Sequence, residues 1–333
     1  LVKLMGQLIK LQNYVSRYEI DTYRYPSQYI RMKKQQWNRI RLAWENGDLA
    51  TKEDFAHDRD WDSLLDNKDD NILLKLKSMF QRKQKDSQIN NHLVNDAENN
   101  DNKVEWQLNH KENNPETMEE LMQLFLDRLF HIQMKWASST IREKSLVDRD
   151  YYYNQEIKFF LQRFPDTFLV LYKPIFLVKQ APVEFDIVVI TPIHTYCIAI
   201  LEDEEDSVFI GSNKRFWLKK HAGKENKVLS PTISLNRMEK IVRNIYDTEE
   251  IEMPVKKIIL NRSGYVDYLD KPIDLDIIEK RNYNDWFNQQ RQMVSPLKHV
   301  QLKAAKSLLS YCQTSSIKRY EWEDDHTDLM KLT

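Results

Sequence analysis

The stretch EFDIVVITPIHTYCIAILEDEE, Glu184 to Glu205, decides how this chain is read. Asp186 opens an apolar, β-branched run, Pro192 and Ile193 supply a turn, and a second apolar run ends in a burst of acid. Runs of this composition bounded by turn residues read as strands, so a hairpin is expected. With Pro192 and Ile193 at the turn, Thr191 faces His194 and the numbers of opposed residues sum to 385. That register sets Asp186 opposite Ala199, with Leu201 two positions further on the same face. Glu202 and Glu204 have the opposite parity, and only a bulge would bring them round. EDEEDS, Glu202 to Ser207, therefore reads as a solvated acidic turn.

Working outward, YYYNQEIKFFLQRF before the hairpin reads as a helix ended near Pro165, and TFLVLYKPIFLVK as β-rich. SVFIG continues the strands; SLNRMEKIVRNIY reads as a helix, VKKIILN as a strand, and LKHVQLKAAKSLLSYC as a last amphipathic helix. Helix, adjacent strands, helix and strand describe a mixed α/β layer over residues 150–333.

Upstream, residues 1–81 are expected to form a mostly helical N-terminal region. In PSQYIRMKKQQWNRIRLAWENGD, Pro26 suits a first helical turn and Gly47 a stop. Arg31, Lys33, Lys34, Arg39 and Arg41 interleave with Trp37 and Trp44. That pattern fits a nucleic-acid surface, but an amphipathic helix with aromatics inward and a solvated basic face is preferred. Residues 82–114, rich in Asn, Asp and Lys, read as a low-complexity linker or mobile insertion, with His92 and His110 solvated. Residues 115–149 hold a helix, with Thr117 and Glu120 as a capping box. Leu121, Leu124, Phe125, Leu129, Ile132 and Trp136 form its apolar stripe, and His131 is expected to be structural.

The 333 residues carry 50 Lys and Arg against 51 Asp and Glu, so global charge names no partner. With five glycines and neither a Walker A nor a GxGxxG pattern, the familiar nucleotide-binding folds are disfavoured. Cys197 and Cys312 lie far apart without ligand-like neighbours and read as buried thiols. No apolar run approaches the roughly 18 residues of a membrane span. LVKLMGQLIKLQ is broken by Lys3, Gln7 and Lys10 and lacks a cleavage site. A cytoplasmic protein without a membrane partner is expected.

The order of elements resembles the nuclease-related domain (NERD) family of the PD-(D/E)xK nuclease-like superfamily. EFDIVVITP matches that family's acid-opened strand and Thr-Pro turn, Glu156 its helix glutamate, and Trp217 and SPTIS (Ser230 to Ser234) its later landmarks. The resemblance covers about residues 150–265 and implies a restriction-endonuclease-like αβββαβ core. For intact members it implies Mg²⁺-dependent DNA cleavage, with two carboxylates holding the metal and a lysine beside them. Aligned from Asp186, the family's glutamate and lysine positions are Ala199 and Leu201, and Ser234 replaces its glutamine.

The expectation is a degenerate nuclease-like domain, with weak or absent cleavage, that binds nucleic acid or a protein partner. A working nuclease with a migrated site is the rival: Glu156, Asp186 and Glu202 as catalytic acids, with Mg²⁺ on Asp186 and Glu202 and Lys214 or Lys173 as substitute lysine. A purely structural interaction module is a third reading. Asp186 is equally read as a site remnant or a structural partner, Glu156 as a surface acid, and His194 as a solvated turn residue rather than a general base. For DNA, Lys214, Arg215, Trp217 and Lys219 form the candidate patch, with the Trp217 indole stacking on a base. Core packing of that indole is the competing expectation.

Overall fold

A computed structural model describes residues 4–47 and 115–319. The chain divides into two units, one of Leu1–Ser27 with Leu126–Thr333 and one of Gln28–Phe125. The 82–114 segment lies outside the described residues. In chain order the strands are β1 Gln7–Leu11, β2 Glu143–Lys144, β3 Leu169–Tyr172, β4 Ile175–Val178, β5 Ala181–Glu184, β6 Ile187–Ile190 and β7 Thr195–Ile200. They continue as β8 Val208–Ile210, β9 Phe216–His221, β10 Lys224–Leu229, β11 Val255–Asn261, β12 Tyr265–Asp267, β13 Leu275–Glu279 and β14 Ile317–Lys318. The helices are α1 Arg17–Ile20, α2 Tyr25–Glu45, α3 Met118–Trp136, α4 Asp150–Tyr153, α5 Gln155–Gln162, α6 Pro231–Thr248, α7 Tyr283–Arg291 and α8 His299–Ser310.

The first unit is built on a six-stranded sheet of order β1-β3-β6-β7-β11-β13. Within it β6 runs antiparallel to both neighbours, and the other pairings are parallel. The expected mixed α/β layer is therefore present. β3 and β6 are buried at every residue, as is β7 except at Ile200, so both faces of the sheet are covered. α6 packs on β7 and β11, α8 on β6 and α6, α5 on β3, and α7 on β13. Pro231 opens α6, where a missing N–H costs nothing, and Leu235, Met238, Val242, Ile245 and Tyr246 bury its inner stripe. The YYYNQEIKFFLQRF segment divides at Asn154, whose side chain accepts from the Ile157 N–H and caps α5.

The N-terminal segment departs from the helical expectation. Gln7–Leu11 is a fully buried strand at the sheet edge, parallel to β3. A five-residue run buried on both faces has no alternation to distinguish it from a helix turn. Polar groups also cross this region: Gln133 Oε1 accepts from the Leu8 N–H at 2.8 Å, and the Tyr18 hydroxyl donates to Gln7 Oε1 at 3.2 Å. Fully buried Lys10 donates to Glu19, the Tyr14 carbonyl and the Thr314 hydroxyl.

A second sheet of order β10-β9-β8-β12 carries the basic segment after the acidic turn. Its β9–β10 hairpin turns through Ala222 and Gly223, both at positive φ (47° and 76°), the two-residue turn that matches strand twist.

In the second unit, Trp37 is buried with its ring centroid 5.2 Å from that of Phe125, and Trp44 Nε1 donates to the Pro115 carbonyl. Arg31, Lys34 and Arg39 are exposed, as the amphipathic reading expects, whereas Lys33 is buried. The capping box is present: Thr117 Oγ1 accepts from the Glu120 N–H at 3.2 Å, and Glu120 Oε2 from the Thr117 N–H at 3.3 Å.

Candidate functional site

The β6–β7 ladder has the expected register. Ile187 opposes Ile198 and Ile190 opposes Thr195, with no bulge between them. Thr191 donates its N–H to the His194 carbonyl across the turn. One step before the first pair, Asp186 falls level with Ala199, which is buried beside Ile259 of β11. Leu201 follows on the same face and donates its N–H to the Leu260 carbonyl.

Asp186 is half-buried, and Ser234 Oγ of α6 donates to its Oδ2 at 2.8 Å. Its own carbonyl accepts the Lys173 N–H at 2.7 Å. Lys173 holds φ at 47°, a left-handed conformation uncommon outside glycine, asparagine and aspartate, and its ammonium lies 5.7 Å from the Tyr172 ring centroid. The fully buried Tyr172 donates its hydroxyl to Glu156 Oε2 at 2.7 Å. Burial, then Glu156, pushes the Tyr172 phenol far above its ordinary pKa, so it remains a donor. Glu156 thus has a specific buried partner rather than the free surface position expected of it.

The acids after β7 are paired rather than simply solvated. The parallel ladder aligns Ile200 with Leu260, so Glu202 falls level with Arg262. Arg262 donates Nε and Nη2 to Glu202 at 2.5 and 2.6 Å and its backbone N–H at 2.8 Å, while its guanidinium covers the Phe159 ring at 4.3 Å. Lys219 takes Asp203 and Glu204, and Lys280 takes Glu205 and Asp206. Lys219 and Lys280 hold the Asp203 and Asp206 carboxyls below their ordinary range. These last four acids are exposed, where ion pairs contribute little stability. Among the described residues, no group of three or more His, Cys, Asp or Glu is arranged to hold a metal. Alanine and leucine offer no oxygen ligand at the two expected positions, so these donors do not fit a Mg²⁺ site.

Of the four residues expected to meet DNA, Lys214 and Arg215 are exposed. Trp217 is not available for stacking: it is 1% exposed, donates Nε1 to the Ser212 carbonyl at 2.9 Å, and meets Tyr268 edge-on. Lys219, two residues on and hence on the same inward face, is buried and committed to Asp203 and Glu204. The partners Tyr172 and Arg262 were missed by sequence reasoning. Arg262 was recoverable, because it directly follows VKKIILN and Glu202 directly follows the neighbouring strand.

His194 stacks on Tyr196, with ring centroids 5.8 Å apart. Burial, then Lys256, lowers its pKa below the ordinary 6.5, against a smaller opposing effect of Asp276. The unfolded chain therefore binds the extra proton more readily, so the stability this site contributes is full above pH 6.5 and falls as pH drops through the folded pKa. NMR titration should give His194 a midpoint below 6.5, and His194→Phe should reduce the loss of thermal midpoint on acidification. His131 stacks on Tyr152, in keeping with a structural role. Both cysteines are buried and free, with burial raising their thiols, that of Cys312 to about 12.

No family model matches the sequence, and no solved structure matches it. An RNA 2',3'-cyclic phosphodiesterase of Geobacillus stearothermophilus is 45% identical to the chain over 65 residues. That match covers 19% of this chain, and the chain spans only 20% of the relative's length.

Proposed function

We propose that the α/β unit is a degenerate nuclease-like domain with a restriction-endonuclease-like core, retained to bind nucleic acid without hydrolysing it. The succession α5, β3, β6, β7, α6, β11, with three antiparallel strands followed by a parallel one, supports the fold reading. The observation that carries the functional reading is the unbulged register that sets Ala199 and Leu201 where metal ligand and lysine are needed. Asp186 and Glu156 keep family positions but serve Ser234 and Tyr172, and Glu202 neutralises Arg262. DNA and RNA are both candidate ligands, and the local likeness to a phosphodiesterase named for RNA makes RNA a necessary probe. Among the described residues no helix is long and apolar enough to cross a membrane.

Incubation of the protein with single- and double-stranded DNA and RNA in Mg²⁺ or Mn²⁺ should leave every substrate intact. Millimolar MgCl₂ should leave the thermal midpoint unmoved, since a ligand that binds the native state raises it. Robust cleavage abolished by Asp186→Ala would instead establish the migrated-site nuclease. Absence of any nucleic-acid retention at low salt would leave a protein-interaction module.

A further inference from the structure

The nucleic-acid surface expected on β9 loses Trp217 to the core and Lys219 to two acids, but a different surface combines rings and cations. Phe159 of α5 and Arg163, the residue that caps its C-terminus, are four residues apart, and on α7, Tyr283, Phe287 and Arg291 repeat at the same interval. Each set therefore lies along one helix stripe. The stripes meet: the Phe159 ring centroid is 6.3 Å from that of Tyr283 and 6.1 Å from that of Phe287, and Tyr283 stacks on Phe287 at 5.4 Å with 18° between planes. Phe159, Tyr283 and Phe287 are only part-buried, which leaves ring surface open to solvent. Arg163 and Arg291 are exposed and, among the described residues, have no carboxylate partner; Arg291 lies 5.4 Å from the Phe287 ring centroid. Arg262, locked by Glu202, forms a planar floor beneath Phe159. Burial has the largest effect on the Tyr283 pKa and raises it; Arg262, Arg163 and Arg291 each act electrostatically to lower it, opposed by Glu202. Asp285, two residues from both α7 rings, lies off the stripe.

We propose that this α5–α7 ridge is a stacking platform for single-stranded nucleic acid, with bases against Tyr283 and Phe287 and phosphates on Arg163 and Arg291. The arrangement has the two requirements of sequence-tolerant binding, part-open aromatic faces and unpaired cations beside them. A duplex keeps its base faces stacked inside and cannot use such rings, so single strands are the preferred occupant. The ridge starts one helical turn from Glu156, so a strand bound there runs beside the altered site without needing it to work. The inference rests on the reading of this unit as a nucleic-acid binder.

The test is fluorescence anisotropy of labelled oligouridylate and oligothymidylate with the full chain over a range of salt. Arg163→Glu/Arg291→Glu reverses charge at two exposed positions, and Tyr283→Leu removes a stacking face while keeping apolar bulk. Lys214→Glu/Arg215→Glu reverses charge at the two exposed residues just before β9 as the control for that rival surface. The ridge double variant should weaken binding by about tenfold or more and flatten the slope of log affinity against log salt by about 0.7 per lost phosphate contact. Tyr283→Leu should weaken binding by about fivefold or more. The control should bind like wild type, and all variants should keep the wild-type circular dichroism. Wild-type binding that survives both ridge variants, or that falls only in the control, overturns the ridge and leaves the nucleic-acid reading standing. Wild type that retains neither oligonucleotide at low salt overturns both.

Discussion

Trp217→Ala is expected to destabilise the first unit by about 3–5 kcal/mol, the usual loss when a fully buried large aromatic is truncated in a core. The indole packs edge-on against Tyr268, with centroids 5.1 Å apart, and its N–H is bonded to Ser212. Truncation removes both the ring contact and the donor, leaving a cavity under the β9–β10 hairpin and an unpaired carbonyl. Urea denaturation followed by far-ultraviolet circular dichroism would measure the loss. In Trp217→Phe, which restores most of the volume but not the donor, the loss should shrink to about 1–3 kcal/mol. A stable Trp217→Ala protein whose only defect was in nucleic-acid binding would restore the stacking role first considered for this residue.

Glu202→Ala is expected to cost about 2–3 kcal/mol. Removing one partner of a fully buried pair costs about 3–5 kcal/mol, but both side chains here retain some solvent (27% for Arg262 and 19% for Glu202), which reduces the penalty. The guanidinium stays over Phe159, and Arg262 loses three hydrogen bonds at once, two from the guanidinium and one from the backbone N–H. Glu202→Gln keeps the shape and one acceptor and should recover part of the loss. If Glu202 were a metal ligand, its removal would change the response of the thermal midpoint to Mg²⁺ or Mn²⁺. The bidentate arginine predicts instead an equal destabilisation with and without the ion.

The parts of the fold legible in the sequence are those fixed by neighbours along the chain. The Pro192-Ile193 turn and the apolar runs beside it determine the hairpin register, and VKKIILN is bounded as a strand by its own composition. The Thr117–Glu120 cap is likewise a three-residue relation. What was not legible depends on partners far along the chain. The acids from Glu202 to Asp206 look solvated until Arg262, Lys219 and Lys280 are brought to them by strand pairing. β9 is hidden because its apolar half, Phe216 to Leu218, runs without alternation into Lys219, Lys220 and His221, and because Ala-Gly is a weaker turn signal than Asn-Gly. At the candidate site, Ala199 could be assigned from register alone. The Tyr172 hydrogen bond to Glu156 could not, because it joins a helix to a strand across a turn of unspecified geometry.

The edge strand β1 also bears on how the chain is made. Gln7 Nε2 donates to the Asp166 carbonyl, 159 residues away, and Lys10 Nζ donates to Thr314 Oγ1, 304 residues away. On a ribosome, the first strand of this sheet emerges long before β3, and it waits longer still for Thr314. For that interval an apolar segment with an open row of peptide groups has no native partner, which is the condition that favours chaperone capture or mispairing between nascent chains. Completion of the sheet is thereby tied to late synthesis, and a chain stopped early is left with a strand that has nothing to join.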